Sequence, residues 1–171
     1  VVDCAIQEDA HAVALTSYQG GHVEYFTYIR ELLDEAGCEH VRIFGGGGGT
    51  ITPPEIRTLH QSGISKIYSP DDGRTMGLMG MIHDLMERAS EVDLISKERL
   101  ATLDGPVTPE DMAKVGLLLT LSESADEATL KGYLETCRSS KEDVPVIGFT
   151  GTGGAGKSSL LDELMLRIQR D

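Results

Sequence analysis

The residues with the clearest chemistry form a glycine-rich loop near the end of the chain. Gly151 to Ser158 spell G-x-x-x-x-G-K-S, a pattern whose glycines let successive backbone N–H groups turn toward a phosphate oxygen. Lys157 can reach the outer phosphates, and the hydroxyl of Ser158 suits a magnesium ion. The alternative is a plain glycine-rich turn. The sequence predicts a nucleotide-binding site formed by Gly151, Gly153, Gly154, Ala155, Gly156, Lys157, Ser158 and Ser159.

The segments on either side of this loop fit the same interpretation. Val144 to Thr150 is predicted to be a buried strand, and Ser159 to Arg170 has helical periodicity. A strand that runs into the loop and a helix that leaves it are the context that the motif requires, because the helix N-terminus adds partial positive charge. Since the chain ends at residue 171, we expect only the first part of a P-loop domain.

Composition and charge narrow the class of protein. A chain of 171 residues with 40% hydrophobic residues can bury one ordinary core or slightly more. The net charge of -13 argues against nucleic acid or an anionic membrane as the main partner. Cys4, Cys38 and Cys137 form no C-x-x-C pair and indicate reduced thiols in a cytoplasmic protein. No apolar run approaches the length of a membrane span.

Strand and helix signals alternate in the first half of the chain. After the end of a helix at Val1 to Asp9, the predicted strands are Ala12 to Ser17, Val41 to Phe44 and Ile64 to Ser69. The predicted helices run from His22 to a stop at Gly37, from Pro53 to Gly63 and from Met76 to Ala89. This alternation with short loops predicts an α/β fold, a parallel sheet with helices on both faces.

Ligands of such a sheet bind beyond the carboxyl ends of the strands. Three loops follow the predicted strands there, Thr16 to Gly21, Gly45 to Thr52 and Tyr68 to Gly73. Two of them are rich in glycine, which lets the backbone approach a large flat ligand. From composition alone, glycines that merely make turns are equally compatible.

Three of these segments resemble a known family. Thr16 to His22, Phe44 to Gly49 and Ile67 to Pro70 resemble the cobalamin-binding domain of acyl-CoA mutases. The resemblance is strongest to the fused isobutyryl-CoA mutases, in which a G-protein chaperone domain follows the cobalamin domain. It covers residues 1 to about 89 and 144 to 171, and that domain order also accounts for the phosphate-binding loop.

The resemblance implies a partial flavodoxin-like (Rossmann-type) sheet and a set of cofactor contacts. Thr16 and Tyr18 stand where the family has the Ser and Leu of S-x-L, and Gly45 and Gly46 match its Gly-Gly pair. The cobalamin-binding residues that it implies are Thr16, Ser17, Tyr18, Gly20, Gly21, His22, Gly45, Gly46, Tyr68, Ser69 and Pro70.

One family feature is missing from this sequence. The family carries its lower axial cobalt ligand in D-x-H-x-x-G, on the loop after the first strand. Asp9-Ala10-His11 comes close in spelling, but it precedes a strand and has Ala14 where the glycine is required. We therefore expect His11 to be a structural residue, and we expect the first strand and the histidine loop to be absent from this chain.

The region between the two recognisable parts has helix signals without strands. Thr108-Pro109-Glu110-Asp111 and Ser124-Ala125-Asp126-Glu127 are both capping patterns that precede apolar helical spacing. The predicted organisation is thus the C-terminal part of a cobalamin domain at 1–89, a packed helical linker at 90–143 and the incomplete start of a P-loop GTPase domain at 144–171.

The resemblance also implies an activity. The complete protein is expected to be an isomerase that converts isobutyryl-CoA to n-butyryl-CoA with adenosylcobalamin, while GTP and magnesium act in the fused GTPase that gates cofactor loading. We expect a homodimer, binding of acyl-CoA by other domains, GTP or GDP as ligand, and no catalytic residue or turnover in this segment. The alternatives are an adaptor module that kept the fold but lost cobalamin, and a P-loop ATPase or kinase with an unrelated α/β front end.

Overall fold

The computed structural model describes residues 1–108, 110–138 and 147–169, and its first part contains three parallel strands. They are β1 (Ala12–Thr16), β2 (Arg42–Gly46) and β3 (Lys66–Tyr68), in the order β1-β2-β3. Ala14 pairs with Phe44, and Phe44 pairs with Lys66 on its other side. Since all three strands run in one direction, their carboxyl ends meet at one edge of the sheet, as the sequence predicts.

Three helices cover one face of this sheet. They are α1 (Val2–Gln7), α2 (His22–Glu35) and α3 (Pro53–Gln61). The helical spacing of Phe26, Ile29 and Leu33 places these side chains on one side of α2, where they meet alternate strand residues. The buried residues of this core are Ala5, Phe26, Ile29, Leu33, Cys38, Val41, Ile43, Ile51, Leu59, Ile64 and Ile67.

The fourth helix, α4 (Pro70–Ser90), packs against the opposite face of the sheet, so the predicted α/β architecture with helices on both faces is confirmed. Helix α4 consists of two helical parts on either side of Gly77. The second part corresponds to the predicted helix Met76 to Ala89, and the first part, which Pro70 opens, was not predicted. Ser69 accepts a hydrogen bond from the Asp72 amide, while the Asp72 carboxylate accepts one from the Ser69 amide. This capping box starts the first part. Gly77 separates the two parts, because its φ of 67° and ψ of 176° are not helical.

The following region contains α5 (Lys97–Leu100), α6 (Met112–Ser124) and α7 (Glu127–Cys137). Asp126 caps α7 as the sequence predicts, accepting from the amides of Ala128 and Thr129. The start of α6 differs, because Asp111 is its N-cap, and Pro109 lies outside the described residues. Their shared core consists of Leu103, Leu117, Leu121 and Cys137.

Helix α6 also lies against α1, and Gly116 makes this approach possible. A Cβ at Gly116 would stand 2.9 Å from the carbonyl oxygen of Ile6 and 3.3 Å from the Cβ of Asp9. The first compact unit of the chain, Val1–Ser139, therefore includes both the sheet and these helices.

The second unit, Ser140–Asp171, contains α8 (Lys157–Ile168) after the glycine-rich loop. The predicted strand Val144 to Thr150 lies partly outside the described residues, and its described part, 147–150, is irregular and exposed. A strand needs a neighbour to pair its backbone groups, and the described residues offer this segment none. No helix in the described ranges combines the length and apolar character that a bilayer span requires.

Candidate functional site

A cavity of about 440 Å³ opens at the carboxyl edge of the sheet. It brings together many of the residues that the sequence singled out, because all three strands end there. Those that line it are Thr16, Tyr18, Gly45, Gly46, Tyr68, Ser69 and Pro70. It is thus a composite of three loops that are far apart in the chain.

Glycines at the end of β2 shape this cavity. Gly45 faces the core, where a Cβ would overlap the ring of Phe26. Gly46 lies two residues after Phe44 in β2, so both positions face the same side of the sheet, toward the cavity. Because glycine has no side chain, the backbone at Gly46 is exposed to the cavity. A Cβ there would stand 3.3 Å from the Tyr68 carbonyl oxygen. The absence of side chains lets a flat ligand lie directly on the backbone.

Tyr68 is held in a fixed orientation at one side of the cavity. Its hydroxyl donates to Oδ2 of Asp84 at 2.9 Å, and Nε of Arg88 donates to the same oxygen at 2.9 Å. Burial raises the pKa of Tyr68, and the hydrogen bond to Asp84 raises it further. The hydrogen bond from Arg88 is the main cause that lowers the pKa of Asp84. Tyr68 therefore stays a neutral donor next to an ionised carboxylate.

Sequence reasoning missed the apolar walls of the cavity. Ala14 and Phe44 form its floor, and Met81, Ile82 and Leu85 of α4 form a wall. The spacing of Met81 and Leu85 at i and i+4 indicates one helix face, but the identity of the element that this face meets depends on the tertiary fold. The missed lining residues also include Leu15, Gly47, Gly48 and Gly73.

Four of the sequence-predicted cofactor residues lie outside the cavity lining. Ser17 donates its backbone N–H to the Gly46 carbonyl at 3.0 Å, which extends the ladder between β1 and β2. Gly21 is the N-cap of α2, with a left-handed φ of 84°. The remaining two are Gly20 and His22.

His22 is buried beside the cavity rather than in it. It is 5% exposed, and its Nδ1 lies 3.1 Å from the carbonyl oxygen of Gln19. Its Nε2 lies 3.3 Å from Oε1 of Glu55. The hydrogen bond with Gln19 is the main cause that raises the pKa of His22, and Glu55 raises it further.

His11 stands far from this cavity. It is exposed and directly precedes β1, so the length of the strand, about 17 Å, separates it from the carboxyl edge. Within residues 1–108, 110–138 and 147–169, no group of three or more His, Cys, Asp or Glu side chains is placed to hold a metal ion.

The glycine-rich loop of the second unit is an exposed turn that its own lysine closes. Nζ of Lys157 donates to the carbonyl oxygens of Gly151 and Thr152, both at 2.8 Å. Gly156 caps α8 with a left-handed φ of 79°. The lysine, the first residue of α8, is thus folded back over the loop. The exposed remainder of the predicted set is Gly151, Gly153, Gly154, Ala155, Gly156, Ser158 and Ser159.

Known proteins match the sequence over its whole length, although no family model matches it. A fused isobutyryl-CoA mutase from Cupriavidus metallidurans is 48% identical over 171 residues, which is 100% of this chain and 15% of that protein. The Nocardia farcinica protein of the same name is 46% identical over 171 residues, again 100% of this chain and 16% of that protein. The Geobacillus kaustophilus protein of the same name is 44% identical over 177 residues, which is 98% of this chain and 16% of that protein. The chain therefore spans about a sixth of the length of these relatives.

Proposed function

Because this chain is homologous over its whole length to a segment of the fused isobutyryl-CoA mutases, we propose that it serves a cobalamin-dependent acyl-CoA mutase. The complete protein converts isobutyryl-CoA to n-butyryl-CoA by a radical 1,2-rearrangement. Adenosylcobalamin supplies the radical chemistry when bound. The acyl-CoA is bound by other domains, and this segment contributes to holding the cofactor.

The cavity at the carboxyl edge of the sheet is the observation that carries this proposal. The bare backbone at Gly46 and the apolar surfaces of Phe44 and Leu85 suit a flat apolar group, such as the nucleotide base of the cobalamin tail. Tyr68, fixed by Asp84, limits how that group can be oriented. These residues bind and orient the tail and exclude water from it, while no residue of the segment takes part in the rearrangement.

The proposed organisation assigns residues 1–89 to the cobalamin domain, 90–143 to the linker and 144–171 to the start of a GTPase domain. The glycine-rich loop supports the last assignment. Lys157, freed from the carbonyls of Gly151 and Thr152, would neutralise the phosphates of GTP, and Ser158 would ligate magnesium. GTP hydrolysis by this domain gates cofactor loading, and the complete protein is a homodimer.

A binding measurement tests the cobalamin assignment. We would titrate the chain with adenosylcobalamin and follow the absorption spectrum, beside a longer polypeptide that continues upstream through the expected histidine loop. Saturable binding by the longer form, with weak or no binding by the shorter one, supports the proposal. Absence of binding by both contradicts it and favours the adaptor or P-loop ATPase alternatives.

A further inference from the structure

The mouth of the cavity is formed by two loops that touch along their backbones. The first, residues 17–21, joins β1 to α2, and the second, residues 47–52, joins β2 to α3. The amide of Ser17 donates to the carbonyl of Gly46 at 3.0 Å. A Cβ at Gly47 would overlap the Ser17 carbonyl oxygen, so the contact leaves no room for a side chain. A displacement of either loop therefore changes the mouth of the cavity.

One side-chain pair joins the helices that follow these loops. His22 is the first residue of α2, and Glu55 lies in the first turn of α3. Nε2 of His22 is shielded from solvent and makes no aligned hydrogen bond, but it lies 3.3 Å from Oε1 of Glu55. The other carboxylate oxygen, Oε2, accepts hydrogen bonds from the amide and hydroxyl of Thr52 at 2.7 and 2.6 Å. Glu55 thus fixes the end of the second loop with one carboxylate oxygen and faces the His22 imidazole with the other.

The surroundings of His22 favour its charged form. The Gln19 carbonyl and the Glu55 carboxylate are both acceptors, so both ring nitrogens find partners only when both carry protons. The charged groups that face the ring are Glu55 from α3 and Glu24 from its own helix. The Gln19 hydrogen bond, the largest influence, and both carboxylates raise the pKa of His22, against the smaller opposing effect of burial.

We propose that His22 and Glu55 form a proton-dependent latch that holds the two loops together at the mouth of the cavity, so that a cobalamin tail is retained more tightly at low pH than at high pH. Both are positioning residues, since neither lines the cavity. The retention half of this inference rests on the proposed cobalamin function. Because the pKa of His22 is raised above its ordinary value of about 6.5, the latch is fully formed below that pH. It weakens as the pH rises through the higher pKa of the folded protein.

Glu55→Gln is the variant that isolates the latch. Glutamine at this position retains the capping box of α3, because Gln serves as well as Glu at the third helical residue. If its oxygen accepts from Thr52, its NH₂ group faces His22, which favours neutral Nε2 as an acceptor. The matched control is Glu24→Gln, which removes an exposed charge from the first turn of α2.

The first readout needs no ligand. An NMR pH titration of the histidine ring signals gives the pKa of His22 in the chain. The signal of His22 is identified as the one that is missing from the spectrum of His22→Gln. We expect a value above about 6.5 in the wild type, a clear decrease in Glu55→Gln and a smaller one in Glu24→Gln. An unchanged His22 pKa in Glu55→Gln would overturn the latch.

The second readout is the dissociation constant for adenosylcobalamin of the complete protein at pH 6.0 and 8.5. For a partly exposed pair we expect the wild-type constant to rise about threefold with pH and that of Glu55→Gln to stay flat. The same pH dependence in both proteins would overturn the role in retention. Absence of binding at both pH values would overturn it together with the proposed function, and the ligand-free titration would still decide whether the pair exists.

Discussion

Asp9 and Arg99 form a buried ion pair that fastens α5 to the end of α1. Asp9 is 5% exposed and adopts a left-handed φ of 45°, and the guanidinium contacts both carboxylate oxygens. Thr120 of α6 donates to Oδ2 at 2.7 Å, and Nε2 of His40 lies 3.6 Å from Oδ1. Within the first unit, Asp9 therefore ties α5 and α6 to the end of α1.

Loss of the Asp9 charge should destabilise the first unit. Asp9→Asn keeps a side chain that tolerates the left-handed conformation but leaves the Arg99 charge buried without its counter-ion. We expect the free energy of unfolding to fall by about 3 kcal/mol, as for other broken buried pairs. Urea unfolding at pH 7, followed by circular dichroism, measures it. Glu8→Gln, an exposed neighbour, is the control, and equal losses in both variants would contradict the role of the pair.

The Asp9 carboxylate should also make the stability of the fold depend on pH in the acidic range. Burial opposes ionisation of Asp9, but the nearby His40 ring and the hydrogen bonds from Arg99 and Thr120 outweigh it and lower its pKa to about 2. Since the folded pKa is depressed, the contribution of Asp9 is complete above its ordinary pKa and is lost as the pH falls through about 2. We expect the stability difference between wild type and Asp9→Asn to shrink between pH 5 and pH 2 in thermal unfolding. A constant difference would show that Asp9 titrates normally.

Substitution of Gly47 should be costly, whereas substitution of Gly49 should not. A methyl group at Gly47 would overlap the Ser17 carbonyl oxygen, whereas one at Gly49 would meet no atom within 4 Å. We expect Gly47→Ala to lose about 2 kcal/mol of unfolding free energy through overpacking. Gly49→Ala should be neutral or slightly stabilising, because alanine restricts the unfolded chain. Similar stabilities of the two variants in chemical denaturation would contradict the observed contact.

Gly46→Ala should affect ligand binding more than folding. Its methyl group would cover backbone in the cavity and lie 3.3 Å from the Tyr68 carbonyl oxygen, a contact that a small shift relieves. In the complete protein we expect about a tenfold rise in the adenosylcobalamin dissociation constant, which corresponds to about 1.4 kcal/mol. Absorbance titration gives the constant, and thermal unfolding checks the fold. Lost stability with unchanged affinity would show that the cavity does not hold the tail.

Lys157→Ala should remove nucleotide binding from the complete protein. The ammonium group already lies against the loop through Gly151 and Thr152, so it is placed to contact bound phosphates. We expect at least about a hundredfold weaker binding of a fluorescent GTP analogue in the presence of magnesium. Lys131→Ala, on the exposed surface of α7, is the control. Equal affinities in the two variants would exclude this loop as the nucleotide site.

Local patterns were enough to predict the sheet and most helices. Apolar runs that end in glycine indicate β1 and β2, and Pro53 with Pro54 indicates the start of α3. The segment Tyr68 to Gly73 was predicted to be a loop, whereas Ser69 caps a helix there, because the same residue types begin turns and helices. The edge of the sheet where a cavity forms also followed from strand direction alone.

Features that depend on distant contacts could not be predicted. Phe44 and Met81 line the same cavity, and nothing near either residue in sequence indicates the other. Asp9 and Arg99 are 90 positions apart, so only the folded chain shows that both are buried together. The contact between His22 and Glu55 could not be predicted either, because the two residues belong to different helices.

The five-glycine run allows the loop after β2 to gain or lose one residue without disturbing the positions that require glycine. Gly45, Gly46, Gly47 and Gly48 each meet a different constraint, respectively the Phe26 ring, the Tyr68 carbonyl, the Ser17 carbonyl and a left-handed φ of 59°. Gly49 meets none. If one glycine is inserted or deleted during evolution, all four constrained positions still receive a glycine, and the change is absorbed where the backbone is free. Homologues are therefore expected to vary in loop length immediately after this run while the floor of the cavity stays intact.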